Sequence, residues 1–592
     1  MLRVVVVDTG IDSQYVDAHI KGGITIVEEN GTFSVKEYFE DYIGHGTGTA
    51  DIILRNTDKV ELYEVRIYDK DIYVSGEKLC YALDYINKNL EYDLIQISSG
   101  ITVYSKKMHD IIKEIVREKE KVIVSAFDNE GAISYPAAYE EVIGVDINYN
   151  YTKKDEFDVV EGSIIDIRGG DAFYRMAFLD GANNIAKGSS FLTSYFTAII
   201  ANMEMNCLNK QTIMEELKKK AIKVYRDVPD MQITAKEFIR DIKKAIVFPF
   251  NKEVHSIAAF EDMLPFEIVG YYDIKHKFLV GKQVCDILKY TDNSMKIKNF
   301  DNINWDLDFD TIICGHVGEI NKILGRNFIV EILRNCEKYN KRVFFFDDLN
   351  SLYFDYHNSE KMFSTFLGED KQLCNRFGKL RMVNKPVLAV MGTSSKQGKF
   401  TVQLKLMREL KKRGFLVDGI GTEPSSIFFG YSQVFPFGYG SYNGLSSRMM
   451  IRMLNEMVWN IEKEDIDIIL TGCQSGTITY DFRNENLLAI CQYNYLLGIN
   501  PDAVVLCVNE IDELDYVKRT IAFIEAIGSA KVVAIIMSET HNLFSYSVFG
   551  RKVLSKEILT DEILSDSFQL PVFSLSSLDI VSLTDVIIKY YE

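Results

Sequence analysis

Four short segments within the first 194 residues, each with a polar residue that can act in catalysis, constrain the fold of this chain more than any other feature. In chain order they are VVVDTGID around Asp8, GHGTGTA around His45, VIVSAFDNEG around Asn129 and KGSSFLTS around Ser190. Continuous apolar runs lead into the first and third segments, a pattern typical of buried parallel strands. The apolar stretch that begins at Phe191 predicts a buried helix. We therefore expect an α/β fold in which the four polar side chains converge.

These residue types match the needs of acyl-transfer chemistry. A serine hydroxyl needs a neighbouring imidazole to take its proton, and a carboxylate must hold that imidazole in one tautomer. A donor is also needed where the carbonyl oxygen becomes an anion, because loss of one such donor costs about 2.7–4 kcal/mol. The candidates are Ser190 as nucleophile, His45 as base, Asp8 as orienting carboxylate and Asn129 as oxyanion donor.

The motifs and their Asp, His, Ser order resemble those of the subtilisin-like serine proteases, over roughly residues 1–245. The resemblance implies the four roles just given, and it implies that Ser98, Ser99 and Gly100 line the peptide groove. Two departures stand out: Gly48 replaces the second histidine of the family's HGTHVAG motif, and residues 191–194 replace its Met-Ala-Ala-Pro. Both leave the chemical positions intact and change the expected shape of the specificity pocket. The alternative is an inactive protease fold kept for peptide binding.

A second motif, VLAVMGTSSKQGKFT, begins at Val387. Its apolar run predicts a strand, residues 392–399 form a glycine-bounded loop, and a helical pattern follows that should stop at Gly414. A strand, a glycine loop and a helix start form a cradle for phosphate, because backbone N–H groups and the helix dipole point at the anion. Lys399 would add a positive charge. The alternative is a tight turn without a ligand.

The form GTxxxxGKxT resembles a small family of P-loop proteins that includes D-glutamate N-acetyltransferases and is distantly similar to dethiobiotin synthetase. The segments IILTGCQSG and LLGINPDAVVLCVN agree with it. The resemblance implies ATP or GTP with Mg²⁺, or an acyl-coenzyme A, as the ligand, and Thr401, which follows Phe400, is the candidate Mg²⁺ ligand. The family's acidic residue corresponds to Gly472 here, which leaves transferase chemistry open. The implied ligand-binding residues are Gly392, Thr393, Gly398, Lys399, Thr401 and Gln474.

Between these regions, short apolar runs alternate with helical ones, as expected of a parallel α/β layer. The sequence therefore predicts three α/β domains. They are a subtilisin-like parallel-sheet domain (1–245), a Rossmann-like domain (246–385) and a P-loop NTPase-like domain (386–592).

Composition and net charge limit the classes of partner and the cellular location that we expect. The net charge of −18 opposes nucleic-acid binding, and no apolar stretch reaches the ~20 residues of a membrane span. None of the nine cysteines forms a CxxC pair. This spacing predicts reduced thiols rather than disulfides or a zinc site. Because the first strand begins almost at Met1, a signal peptide is not expected, which favours a cytoplasmic location. A symmetric homodimer remains open.

The combined hypothesis is a serine endopeptidase fused to a phosphate-binding module. It would cut a dedicated peptide or protein, with maturation of a ribosomally made natural product as one such role, and proteolysis itself would need no cofactor. An alternative makes the P-loop region an acyl- or nucleotide-dependent transferase, with the protease fold as a peptide-binding module. A third makes it a nucleotide-gated switch for the protease.

Overall fold

The computed structural model describes residues 1–69, 71–127, 131–204, 207–226, 235–275, 278–288, 290–347, 361–364, 377–435, 446–481, 483, 488–538 and 558–592. The chain forms two compact units. The first comprises Met1–Asp230 with Gln372–Val383, and the second comprises Met231–Lys371 with Asn384–Glu592. Both are α/β, as predicted.

The first unit is built on a mainly parallel sheet whose strand order is β12-β8-β9-β7-β6-β5-β1-β4-β2-β3; β10 and β11 form a separate antiparallel pair. Its strands are β1 (Leu2–Asp8), β2 (Ile20–Glu29), β3 (Thr32–Lys36), β4 (Val60–Arg66), β5 (Leu94–Ile97), β6 (Val122–Ala126), β7 (Ile143–Asn148), β8 (Phe157–Glu161), β9 (Ile167–Gly170), β10 (Tyr174–Ala177), β11 (Asn183–Ala186) and β12 (Lys223–Arg226). Its helices are α1 (His45–Asn56), α2 (Gly76–Asn89), α3 (Lys106–Lys113), α4 (Ser189–Ala201) and α5 (Lys210–Lys218).

Helices cover both faces of this sheet, which explains why the central residues of β1, Val4 to Val7, are all apolar. Successive side chains of a strand point to opposite faces. Val4 and Val6 pack in one core with residues of α1 and α4, whereas Val5 and Val7 pack in another with residues of α2 and α3. Because both faces are buried, β1 can only end in a polar residue where the sheet stops, at Asp8.

The second unit contains two parallel sheets. The first sheet has the order β15-β14-β13-β16-β17-β18, which is the 3-2-1-4-5-6 order of Rossmann folds. Its strands are β13 (Lys244–Phe248), β14 (Glu267–Asp273), β15 (Ile297–Asn299), β16 (Thr311–Cys314), β17 (Arg342–Phe345) and β18 (Met362–Ser364). The helices of this part are α6 (Ala235–Arg240), α7 (His255–Ala259), α8 (Val284–Ile287), α9 (Gly318–Leu324) and α10 (Phe328–Lys338).

The other sheet has the order β21-β20-β22-β19-β23-β24-β25, with β19 near its centre. Its strands are β19 (Val387–Gly392), β20 (Val417–Gly421), β21 (Gln433–Val434), β22 (Ile468–Gly472), β23 (Ala503–Asn509), β24 (Lys531–Ser538) and β25 (Val572–Ser574). The helices around it are α11 (Lys399–Lys412), α12 (Ser447–Glu462), α13 (Ile490–Ile499), α14 (Leu514–Ile527), α15 (Asp561–Phe568) and α16 (Ile580–Tyr591).

The division between units differs from the predicted domain boundaries. The predicted limit at residue 245 falls inside β13, which pairs on both sides within the second unit's sheet. Residues 377–383 group with the first unit, although the sequence prediction assigned them to the Rossmann-like region. Contacts between residues far apart in the sequence decide both differences, and a local sequence pattern does not contain that information.

None of the described helices is both long enough and apolar enough to cross a membrane.

Candidate active site

The Asp8 carboxylate and the His45 ring meet in the first unit. Asp8 ends β1 and is fully buried, while His45 begins α1. Nδ1 of His45 lies 2.7 Å from Oδ1 of Asp8, and as the donor of this bond Nδ1 carries the ring proton. Nε2, on the far side of the ring from Asp8, is then the nitrogen that can accept a proton from a nucleophile.

Asp41, which the sequence analysis missed, fixes the start of α1. Its Oδ1 accepts hydrogen bonds from the Gly44 amide (2.8 Å) and the Thr9 hydroxyl (2.9 Å), and its Oδ2 accepts from the Thr47 amide (3.0 Å). The Thr9 hydroxyl oxygen in turn accepts from the Gly46 amide at 2.7 Å. The end of β1 is thereby tied to the first turn of α1. The signal available in the sequence was an acidic residue four positions before His45, where an anion favours a helix start.

Asp8 is held as an anion. Burial by itself raises the pKa of a carboxyl, yet the pKa of Asp8 lies below its ordinary value because the charge and hydrogen bond of His45 outweigh burial. The Ser98 side chain and the Thr9 amide (2.8 Å) also donate to the carboxylate. Thr49, one helical turn after His45, donates its hydroxyl to Oδ2 at 3.2 Å. The sequence analysis assigned no role to Thr49, although its spacing from His45 places both on one face of α1.

A second buried carboxyl lies beside this site. Glu64 is on β4, which pairs with β1, and it is fully buried. Its Oε1 accepts a hydrogen bond from the Gly10 amide at 3.1 Å. Burial, followed by the negative charges of Asp8 and Asp41, raises the pKa of Glu64 well above its ordinary value. The site therefore favours the neutral form of Glu64, which lessens its competition with Asp8 for the imidazolium.

Ser190 is the second residue of α4 and is 7% exposed. Its hydroxyl donates to the backbone carbonyl of Ser98 at 3.3 Å. The ring of the next residue, Phe191, lies 5.0 Å from the His45 ring between centroids, with the planes at 32°. The structure thus brings Asp8, His45 and Ser190 to one place at the carboxyl end of the parallel strands.

The structure locates three of the remaining predicted site residues of the first unit and does not describe the fourth. Ser98, Ser99 and Gly100 follow β5 directly, and both serines are buried. Asn129 lies outside the described residues. Gly48 explains one departure from the protease motif, since a Cβ atom there would lie 2.5 Å from Sδ of Met176. A second histidine at this position would therefore require the Met176 side chain to move.

The P-loop motif folds as predicted from strand to loop to helix. Gly392 ends β19, Gly398 has a φ of +73°, and Lys399 begins α11. Nζ of Lys399 donates to the Ser394 carbonyl at 2.5 Å. Within the loop, the Gln397 side chain accepts from the Ser394 amide (3.0 Å) and donates to the hydroxyl of Thr393 (2.6 Å). These contacts curl the loop around the lysine.

Polar residues at the end of the neighbouring strand β23 and just after it hold this loop. Asp512 accepts a hydrogen bond from the Thr393 hydroxyl, and Asn509 donates to Oγ of Ser394 at 2.7 Å. The sequence analysis missed both residues. Both come at or just after the end of the apolar run of β23. A polar residue at the end of a buried parallel strand was the signal that the sequence offered.

The other predicted residues of the P-loop region lie nearby. Gln474 follows β22, the strand beside β19, and donates to the carbonyl of Thr422 at 2.8 Å. Thr401 lies in the first turn of α11. The described residues contain no group of three or more His, Cys, Asp or Glu side chains that could hold a metal. Mg²⁺ bound with phosphates needs few protein ligands, so Thr401 fits that role and stays a prediction.

The space beside Gly472, where the transferase resemblance places an acidic residue, is filled by the Gln403 side chain. A Cβ atom there would lie 2.0 Å from Nε2 of Gln403, whose amide contacts the hydroxyl of Tyr431 at 3.3 Å. The carboxylate of this region comes instead from Glu423, just after β20. Burial raises the pKa of Glu423 to about 7, although the charges of Lys252 and Lys399 oppose that shift.

Comparison with known proteins finds two different likenesses. The chain is 25% identical over 215 residues to Subtilisin NAT of Bacillus subtilis subsp. natto, an alignment that covers 34% of this chain and 54% of that protein. It is 28% identical over 168 residues to the protein named Intracellular serine protease of Paenibacillus polymyxa, covering 24% and 48%. The chain thus spans about half the length of these curated relatives. The first unit is similar in sequence to subtilisins.

The other likeness lies towards the C-terminus. The family described as "Domain of unknown function (DUF1611_C) P-loop domain" matches residues 376–546. Among solved structures, a DUF1611 family protein from Anabaena variabilis aligns with a TM-score of 0.42 and 12% identity, covering 59% of this chain and 100% of that chain. A cold-adapted subtilisin-like serine proteinase aligns with a TM-score of 0.31 and 16% identity, covering 37% and 81%. The chain therefore joins a subtilisin-like region to a DUF1611-type P-loop region.

Proposed function

We propose that the first unit is a serine endopeptidase of the subtilisin type that cuts a peptide or protein substrate. The observation that carries this proposal is the 2.7 Å contact between Nδ1 of His45 and Asp8, with the Ser190 hydroxyl at the Ser98 carbonyl beside it. The sequence similarity to subtilisins supports the same chemistry.

The reaction follows from the roles of these groups. Rotation about χ1 turns the Ser190 hydroxyl from the Ser98 carbonyl towards Nε2 of His45, which takes its proton as the oxygen attacks the scissile carbonyl. Asp8 stabilises the imidazolium that forms. His45 then gives the proton to the leaving amine, and the acyl-serine is hydrolysed by the same steps with water as the nucleophile. Asn129 remains the predicted donor to the oxyanion.

The substrate would bind as an added strand along residues 98–100. Extended peptides commonly gain affinity by pairing their backbone with an exposed strand edge. The Ser98 carbonyl contacts the nucleophile, so a peptide paired here would carry its scissile bond to Ser190. The identity of the substrate stays a proposal, with maturation of a dedicated precursor peptide as one possibility that the fusion to a second module favours.

Reaction with a fluorophosphonate probe tests this proposal. We expect one probe adduct per chain on Ser190, located by peptide mapping, because only an activated hydroxyl reacts rapidly. Heat-denatured chain should not react, and Ser189→Ala, one residue away, should react like the parent. A native chain that forms no adduct on Ser190 would contradict the endopeptidase proposal and favour the peptide-binding alternative.

We further infer that the P-loop region binds a phosphate-bearing small molecule, with ATP, GTP and an acyl-coenzyme A as candidates. Lys399 is 8% exposed, and burial lowers its pKa to about 8. This buried ammonium group donates to the neutral carbonyl of Ser394. A buried cation gains further from an anion placed beside it. The loop, the helix start and Lys399 together supply that anion site.

The pH dependence of ligand binding follows from these pKa values. As the pH rises from 7 to 9, Lys399 loses its proton and Glu423 gains a negative charge, and both changes disfavour an anion. Calorimetric titration with each candidate ligand should show an affinity that falls about tenfold over this range, since one pH unit above a pKa leaves about a tenth of the lysine charged.

The matched variant is Lys399→Met. Loss of a charged hydrogen-bond donor should weaken binding about 10- to 150-fold at pH 7 and flatten the pH dependence. Lys412→Met, at the exposed far end of α11, serves as the control. Equal binding by the Lys399→Met variant and the parent would show that the loop is a turn without a phosphate site.

Two alternative roles for this region stay open. One is an acyl- or nucleotide-dependent transferase related in chemistry to the D-glutamate N-acetyltransferases, with Glu423 taking the place of the missing acid at Gly472. Mass spectrometry separates it from hydrolysis, because transfer adds mass to an intact substrate. The other is a nucleotide-gated switch, which predicts a cleavage rate that changes on addition of ligand. A cytoplasmic location also stays a prediction, in line with the name of the Paenibacillus relative.

A further inference from the structure

A short segment that lies more than 130 residues beyond the predicted protease boundary adds to the first unit. We call residues 377–381 the returning segment. They follow the Rossmann-like sheet in sequence and precede β19, yet they group with residues 1–230. The resemblance to subtilisins, drawn over residues 1–245, does not include them, whereas the P-loop family match begins at residue 376 and does.

The returning segment pairs with backbone next to the predicted oxyanion donor. The amide of Leu380 donates to the carbonyl of Gly131 at 3.2 Å, and its carbonyl accepts from the amide of Ile133 at 3.0 Å. This is a parallel bridge centred on Ala132. The pairing therefore fixes the backbone of residues 131–133, which follow the predicted oxyanion donor in the sequence.

The chain after Gly131 is also paired with the residue that follows the predicted peptide-binding residues 98–100. Ile101 and Tyr135 exchange two backbone hydrogen bonds of 2.8 Å each. Ile101 comes directly after residues 98–100, which are predicted to bind the peptide. Residues 131–135 therefore connect the returning segment to the predicted peptide-binding residues 98–100. A shift of the returning segment would displace residues 131–135, and these would displace the peptide-binding residues.

Buried side chains anchor the returning segment. Arg381 is 6% exposed, and its guanidinium donates to the hydroxyl of Tyr135, which is 2% exposed, at 2.8 Å. Lys379 is equally buried and lies 3.6 Å from a carboxylate oxygen of Asp146. Buried charges are retained only where they are paired or hydrogen-bonded. The contacts therefore define one position for the segment.

An aromatic contact holds the other end of the segment. The guanidinium of Arg168, on β9, lies 3.9 Å from the centroid of the Phe377 ring. The ring of Tyr225, on β12, lies 5.5 Å from the same ring in an edge-on arrangement. The segment is thus attached from the sheet edge at β12 to the stretch beside Asn129.

We propose that the returning segment is a positioning element of the protease site, and that Arg381 is its principal positioning residue. The proposal rests on the proposed endopeptidase function. The segment sets the backbone of residues 131–135 beside the predicted peptide-binding residues 98–100, so its loss slows acylation of Ser190 and alters turnover more than substrate affinity. It also means that residues 1–245 alone form an incomplete protease.

The test compares Arg381→Met with Arg381→Lys and Met382→Ala in the full chain. Met382 is adjacent, lies outside the returning segment and is 50% exposed. For Arg381→Met we expect the fluorophosphonate rate constant at Ser190 and kcat to fall about tenfold, less than the 10²–10³ that loss of an oxyanion donor costs. KM should change less than twofold, Arg381→Lys should recover part of the rate, and Met382→Ala should match the parent.

The outcomes separate this inference from the function on which it rests. A parent chain that forms no adduct rejects the endopeptidase function and the inference together. A parent that reacts, with an Arg381→Met variant that reacts equally fast, rejects the inference alone. If Arg381→Met fails to fold, as seen by near-ultraviolet circular dichroism, the comparison of Arg381→Lys with Met382→Ala decides, and equal rate constants for these two reject the inference.

Discussion

Ser190→Ala is expected to lower the rate of peptide cleavage by at least about 10⁴-fold, because no other group can take over the attack on the carbonyl. Peptide affinity should stay within about twofold, since the residues 98–100 that are proposed to bind the substrate keep their backbone. The hydroxyl makes one hydrogen bond of 3.3 Å to Ser98, so its removal should hardly affect the fold. Steady-state cleavage and anisotropy of a labelled peptide measure the two effects separately.

The control is Ser189→Ala, which removes a neighbouring hydroxyl in the same helix turn and should cleave like the parent. A Ser190→Ala variant that retains more than about a hundredth of the parent rate would place the cleavage elsewhere, since loss of a nucleophile is expected to be far more costly. A parent as slow as Ser190→Ala, with equal peptide affinity in both, would instead support the binding-module alternative.

The sequence predicted the elements that carry the site because their signals are local. A run of valines ending in Asp8 describes a strand buried on both faces that stops at its carboxyl end, and β1 (Leu2–Asp8) ends at that residue. Ser190 followed by a long apolar stretch describes a buried helix, and α4 starts one residue earlier. The loop and helix around Lys399 were predicted on the same grounds.

The residues that the sequence analysis missed act through contacts that no local pattern records. Asp41 binds amides on both sides of His45, but it stands in a segment without regular periodicity. Arg381 meets Tyr135 across 246 positions of the chain. Glu64 was hidden within β4, where its burial beside Asp8 depends on strand pairing. Strand order and long-range pairing, rather than propensity, decide these positions.

Asp8→Asn is expected to lower kcat by about 10⁴-fold while leaving the shape of the site unchanged, because an amide cannot hold the His45 proton on Nδ1. An asparagine side chain can present its NH₂ group to Nδ1, which moves the ring proton to Nε2 and removes the base. The neighbouring donors, Thr49 and the Thr9 amide, would still accommodate an oxygen at this position. Cleavage kinetics and the rate constant of the fluorophosphonate reaction should fall together.

Glu64→Gln provides a matched control, since it makes the same carboxyl-to-amide change on the adjacent strand. Burial and the charges of Asp8 and Asp41 raise the pKa of Glu64 well above its ordinary value, which favours the neutral form of this carboxyl. The Glu64→Gln rate should therefore stay within about threefold of the parent, because the amide replaces a group whose charged form the site disfavours. If both variants fell equally, the buried carboxyls would act as one unit and Asp8 alone would not orient the imidazole. A large loss in Asp8→Asn only would identify Asp8 as the group that sets the tautomer of His45.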